Sequence, residues 1–288
     1  MQCKKNILML HGVFGFMSKK KFLSLLILLL ATINSFSQDY TPEEIRIKTD
    51  SILMEGNILF NHEKAAWIAT DMAMENESVR KNFGGFLSYM LKDTIIAIIY
   101  NREDFNYCIY ELQFVDSFDK PVKESFEKRV ISELEKKLII ARDRIIDEII
   151  LNEFEVFVPD GFSLNFVILP FEQGYKLYIL TGTSQPNIIP FGNDYIFIAD
   201  SNYEITYWRK FHSRLIPQST VGPGGEQVRS LTHSHLRTEP FISATDICTF
   251  MLYGGYYGLN EFSVYSPALS LYFTYRLDKN EILISERP

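Results

Sequence analysis

From Pro121 to Asn152 the apolar residues Val130, Leu134, Leu138, Ala141, Ile145 and Ile149 recur at steps of three and four, and from Glu153 onward the apolar period is two. The first repeat draws one apolar stripe along a helix; the second draws one apolar face on a strand. A chain with both must pack a long amphipathic helix against sheet, and hairpin-length spacing makes that sheet antiparallel-rich, so the fold class is α+β. The expected strands are 154–158, 162–169, 175–182, 195–199, 204–215 and 227–234. Turn-forming clusters separate them: Pro159-Asp160-Gly161, Glu172-Gln173-Gly174, Gln185-Pro186-Asn187, Asp200-Ser201-Asn202 and Gly222-Pro223-Gly224-Gly225. A short helix at about 243–253, stopped by Gly254-Gly255, and a final hairpin of 261–266 with 271–277 complete this half.

The preceding segment reads differently. Thr41-Pro42-Glu43-Glu44 opens a helix with a hydroxyl cap, a proline in the first turn and acids at the positive dipole end. A second helix is expected from Asn61 through Met74, with Trp67 on its buried face, and strands at 86–91, 94–100 and 107–114. Residues 38–120 therefore read as a small α+β unit, a helix pair with three strands, and 121–288 as a second domain. His62 stands alone near a helix start and reads as a structural residue.

Lys19-Lys20-Lys21, the apolar run Phe22–Ala31, and Ser35 and Ser37 ahead of Gln38 make the three regions of a signal peptide over residues 1–37. Met17 is the start that fits this leader cleanly. The apolar run is too short for a spanning helix of about 20 residues, so no stable membrane span is expected after cleavage. The expected address is export, to the periplasm, cell surface or medium. Cleavage removes five lysines and no acid, leaving 24 Lys+Arg against 36 Asp+Glu and a net charge of −12. An acidic chain without a basic block argues against a nucleic-acid partner. At 47% apolar and 23% charged residues, it is neither disordered nor a coiled coil. Cys108 and Cys248 read as buried thiols, and their spacing does not say whether they pair.

One motif carries chemistry: His233-Ser234-His235, seven residues, then Ser243-Ala244-Thr245-Asp246. Residues i and i+2 of a strand face the same way, so the two imidazoles converge, and the intervening loop returns a carboxylate from the first turn of a helix. Two histidines and one carboxylate leave a fourth position open, as in catalytic zinc sites. His212, on a neighbouring strand, is either an added ligand or a sheet residue, and the sheet residue is the favoured reading. Ser243 to Asp246 also has capping-box spacing.

This spacing, and the order of long helix, sheet ending in the histidine pair, helix opening with Ser-x-x-Asp and terminal hairpin, resembles the JAMM (JAB/MPN-domain) metallopeptidase family over residues 121–288. The resemblance implies zinc held by His233, His235 and Asp246, oxyanion stabilisation by Ser243, and a zinc-activated water attacking a peptide or isopeptide bond of a peptide or protein substrate. Two departures stand: Leu236 replaces the usual proline, and Phe162–Phe166 holds no glutamate where the family places its general base. Glu155, Asp160 and Glu172 are the nearby acids. A missing base removes on the order of 10²–10⁴-fold in rate. The leading reading is thus a zinc metallopeptidase, and the other is a non-catalytic exported binding or scaffold module on a degenerate fold of this kind. The leader reading makes one direct prediction: the mature chain begins at Gln38, and N-terminal mass analysis of exported protein that still carries Phe22–Leu30 would refute it.

Overall fold

A computed structural model describes residues 40–152 and 154–287; the leader over 1–37, its cut before Gln38 and the start at Met17 lie outside the described residues. The described chain is mixed α and β, with four helices and fifteen strands. Helix α1 runs Pro42–Glu75 and α2 runs Glu77–Lys81. Thr41 caps α1 as its sequence suggests: Glu44 N–H donates to Thr41 Oγ1 at 3.3 Å, and Glu44 Oε2 accepts from Thr41 N–H at 2.8 Å. The expected break before Asn61 is absent, so one helix of 34 residues replaces two. No proline interrupts it, and its one glycine is there for contact. A Cβ on Gly56 would lie 2.8 Å from Ile247 Cβ, so only glycine lets the helix pass this close.

The first sheet has the order β1 (Phe83–Leu91), β2 (Thr94–Asn101), β3 (Tyr107–Phe114), β4 (Lys123–Ser125), with β5 (Arg129–Val130) also on β3. Strand β2 is buried on both faces, and its alternation divides it between two cores. Ile95, Ala97 and Ile99 pack with Ala65, Ala69 and Ala73 of α1; Ile96, Ile98 and Tyr100 pack with the third helix, α3 (Glu133–Leu151). That second core continues into Leu177, Ile179, Tyr195 and Phe197.

The long helix begins at Glu133, not at Pro121 as the periodicity suggested. Ser132 caps it in a reciprocal box with Glu135, and residues 123–125 and 129–130 instead extend the first sheet. The cause is electrostatic. Buried Glu135 must be neutralised, and Arg129 reaches both it (2.7 Å) and Glu111 (2.5 Å), while Tyr89 donates its hydroxyl to Glu135 at 2.9 Å. Val130 matched the helical repeat by coincidence; it is 65% exposed.

The second sheet is β10 (Ile205–Lys210), β9 (Tyr195–Asp200), β7 (Gly174–Gly182) and β6 (Ser163–Phe171), all antiparallel. A two-stranded ribbon pairs β8 (Ile188–Gly192) with β11 (Leu215–Ser219). The third sheet places β12 (Leu231–Ser234) parallel to β13 (Glu261–Ser266), followed by β14 (Leu271–Arg276) and β15 (Glu281–Ser285). Helix α4 spans Ala244–Tyr253. Three expectations are corrected here. Residues 154–158 are irregular, since Val156 N–H folds back onto Phe154 O and Phe154 packs edge-on against Phe197 and Trp208. The strand expected over 204–215 breaks at residues 211–214, and 227–234 is strand only at its end. Cys108 and Cys248 are buried free thiols, and His62 is buried with Nδ1 against Ser88 O at 3.1 Å. Among the described residues, no helix is long and apolar enough to cross a membrane.

Glu63 of α1 is fully enclosed, and burial pushes its carboxyl up to about 7 although Asn165 Nδ2 donates to it at 2.7 Å. An unfolded Glu63 loses its proton near 4.5, so the folded state holds a proton that the unfolded state has released between these values. Stability contributed by this residue therefore falls as pH rises through that window. Glu63→Gln is expected to flatten the slope and to gain on the order of 3 kcal/mol at pH 8 with little change at pH 4. Parallel thermal-melt slopes for both proteins would refute it.

Candidate metal centre

Two interruptions in neighbouring strands build the first half of the centre. Between β8 and β9 the chain takes left-handed turns at Gly192 (φ +77°) and Asn193 (φ +53°), then presents Asp194. Opposite, residues 211–214 leave the ladder between β10 and β11 and insert His212. The two breaks are stitched together, Phe211 N–H donating to Asp194 O at 3.1 Å and Asn193 N–H to Arg214 O at 3.3 Å. His212 Nδ1 then lies 2.7 Å from Asp194 Oδ1, and Thr245 Oγ1 donates to the other oxygen, Oδ2, of the same carboxylate.

The second half comes from β12 and α4. Burial alternates along β12, with Leu231 and His233 inward and Thr232 and Ser234 outward. Pairing continues one residue past the strand through His235 N–H to Tyr265 O at 3.0 Å, so His235 shares the face of His233. The loop returns to Ser243, which caps α4. Asp246 Oδ2 accepts from Ser243 N–H (3.0 Å) and from Ser243 Oγ (2.7 Å), and Asp246 N–H donates to Ser243 Oγ at 3.0 Å. Both readings of the Ser-x-x-Asp spacing are met by one side chain: Oδ2 closes the capping box while Oδ1 is a buried oxygen without a hydrogen-bond partner.

The carboxylate faces three imidazoles. His212, His233, His235 and Asp246 are all buried, each offers one donor atom, and these lie within 4.8 Å of one another. His212 Nε2 is 2.9 Å from His235 Nε2, which is 3.3 Å from His233 Nε2. Asp246 Oδ1 is 3.3 Å from both His212 Nε2 and His233 Nε2, and Oδ2 is 3.1 Å from His235 Nε2. A tetrahedral ion with bonds of about 2.0–2.1 Å has donor–donor edges of about 3.3 Å. The four residues can hold a metal ion.

The protonation pattern supports this. Asp194 and the Phe241 carbonyl only accept, so His212 and His235 each donate from Nδ1, the latter at 2.6 Å. Their neutral forms then turn bare Nε2 lone pairs at each other across 2.9 Å. Two lone pairs so close repel unless a proton or a cation lies between them. Donation from Nδ1 to a carboxylate or carbonyl is also how metal-binding histidines are oriented. His233 Nδ1 has no partner; its ring lies against Phe191 and Phe262.

Charge follows the same logic. Burial alone would lower His212, but the Asp194 and Asp246 carboxylates hold it well above the usual imidazole value. Burial lowers His233, outweighing the pull of Asp246. Burial would raise Asp246, yet the three histidines hold it well below the carboxylate range. The cluster is thus built around one strongly ionised acid and demands positive charge beside it. Glu239, on the returning loop, pairs with Arg209 at 3.0 Å; burial raises its carboxyl against the lowering fields of Arg209, His235 and His212.

His233, His235 and Asp246 are therefore brought together as their spacing implied, and Ser243 stands beside them with its hydroxyl engaged in the cap. His212 is corrected: it is not a residue of a continuous strand but a member of the buried group, delivered by the break at 211–214. Asp194 and Thr245 had no legible motif. Glu155, Asp160 and Glu172 are exposed and lie outside the group. No family model, curated protein or solved structure matches this chain.

Ser243→Ala deletes a donor to Asp246 Oδ2 and the cap acceptor together. It is expected to lower stability by about 1–2 kcal/mol, read from the urea midpoint; an unchanged midpoint would show that the box contributes nothing.

Proposed function

We propose that this chain is an exported zinc-binding protein with a JAMM-like domain, acting as a binding or scaffold module more than as a strong peptidase. The observation that carries the zinc reading is the pair of Nε2 atoms 2.9 Å apart, which in the neutral rings oriented by Asp194 and the Phe241 carbonyl are both lone pairs, beside the unpartnered Asp246 Oδ1. Three imidazoles and a carboxylate at tetrahedral spacing suit zinc by ligand type and geometry. With one corner open, bound zinc would supply Lewis acidity at a carbonyl and acidify a water; with all four donors engaged it would hold their segments together.

Hydrolysis also needs a base within hydrogen-bond reach of that water. Glu155, Asp160 and Glu172 do not fill that role, being exposed and outside the group. Glu239, on the returning loop and paired with Arg209, is the further acid in the field of His235 and His212 on which a peptidase reading would rest.

The purified mature protein is expected to carry about one equivalent of zinc. His235→Ala and Asp246→Asn should each lower zinc affinity by more than the 10–100-fold typical of losing an outer-shell partner, with the fold kept. Asparagine retains the cap oxygen, so a mere capping role predicts at most about 1 kcal/mol and no change in metal. Equal, negligible zinc in wild type and both variants, by elemental analysis at neutral pH, refutes the metal reading. Strong zinc-dependent cleavage abolished by Glu239→Gln would restore the enzyme.

A further inference from the structure

The resemblance implies two histidines, one aspartate and an open fourth position, but this centre has a fourth protein donor. His212 Nε2 stands 3.3 Å from Asp246 Oδ1 and 2.9 Å from His235 Nε2, which is the place of a tetrahedral corner. We infer that the metal centre is closed: His212 is a ligand, no position is left for water or substrate, and the ion serves as a clamp. The inference rests on the zinc reading above and deepens it.

Three observations converge. First, His212 is not a surface side chain reaching in. It is buried, on a segment removed from the β-ladder at 211–214, where pairing of β9 with β10 and of β8 with β11 both stop. Breaking a ladder gives up backbone pairing, and here that break delivers one imidazole. Second, the ring is held from behind. Asp194 Oδ1 takes its Nδ1 proton, Asp194 Oδ2 accepts from Thr245, and Thr245 adjoins Asp246 on α4. The fourth donor and the carboxylate donor are thus tied to one another through Asp194 independently of any ion. Third, the four donors come from three separate segments, 211–214, the end of β12, and the first turn of α4. Sites with four protein ligands hold structure, and sites with three keep a corner for chemistry.

Cobalt(II), a spectroscopic substitute for zinc, tests this in the full mature chain. The visible spectrum of the cobalt-loaded wild type is expected to be that of a four-coordinate ion and to stay unchanged on adding azide or acetohydroxamate. His212→Ala should still take up cobalt through the remaining three donors, now with a spectrum that shifts on adding azide. EDTA should lower the thermal midpoint of the zinc-loaded wild type, as expected of a clamp. A wild-type spectrum that shifts with azide as the variant's does would overturn the closed centre while leaving the zinc reading intact. Failure of the wild type to take up cobalt or zinc would overturn both. The wild-type azide titration needs no variant, so it decides the matter even if His212→Ala does not fold.

Discussion

Asp246 uses its two oxygens for two tasks, and the arrangement of the second half of the chain depends on that division. Oδ2 is saturated by the backbone and hydroxyl of Ser243, which fixes the first turn of α4. Oδ1 is thereby turned towards His212 Nε2 and His233 Nε2, 3.3 Å from each, while Oδ2 also lies 3.1 Å from His235 Nε2. A buried carboxylate oxygen without a donor is costly unless positive charge sits against it. Helix α4 packs chiefly on β8, and α1 passes close enough at Gly56 to touch Ile247, one residue past Asp246. Packing thus determines where the charge lies, and the histidines are arranged to meet it.

The same separation of roles runs through the rest of the molecule. Strand β2 splits its side chains between the α1 alanines and α3, so the first sheet is an apolar layer with no share in the centre. Its polar network, Glu111–Arg129–Glu135–Tyr89, locks the start of α3 and has a charge partner for every acid. The His/Asp cluster differs: Asp246 Oδ1 and His233 Nδ1 remain without hydrogen bonds. Buried polar groups in a folded protein are nearly always satisfied, and Asp246 Oδ1, unlike His233 Nδ1 on the far side of its ring, is an orphan that an ion in the cluster could satisfy.

Much of this could be read from residue order, and the limits have physical causes. The β-period of 162–169 and 175–182, the β13–β14 pairing and the helix at 243–253 followed from alternation and capping alone, because each is stabilised by residues near in sequence. His233, His235 and Asp246 were legible because a strand and a helix turn impose fixed spacing on them. The start of α3 was misplaced because the Arg129–Glu111 pair spans 18 residues, and no local pattern encodes it. His212 and Asp194 were hidden for a related reason. Each sits in an interruption, where periodicity stops carrying information, and what joins them is a cross-strand contact 18 residues apart. The short β8 and β15 were likewise too brief to stand out, and β12 was found only within a longer expected strand.

Charge accounting explains why Asp194 belongs to the centre although it gives no donor atom to the cluster. A divalent ion held by three neutral imidazoles and the Asp246 carboxylate would keep one positive charge in a site whose ligands are all buried. Such a residual charge costs several kcal/mol in a poorly polarisable interior. Asp194, one step behind His212, supplies the second negative charge, and its two oxygens are both engaged, by His212 and by Thr245. The ion and its two carboxylates are then neutral together. Glu239 is not needed for that balance, and it is paired instead with Arg209. A centre neutral without any further anion has no electrostatic call for a hydroxide or a substrate oxyanion, and that agrees with a fourth corner already filled by His212.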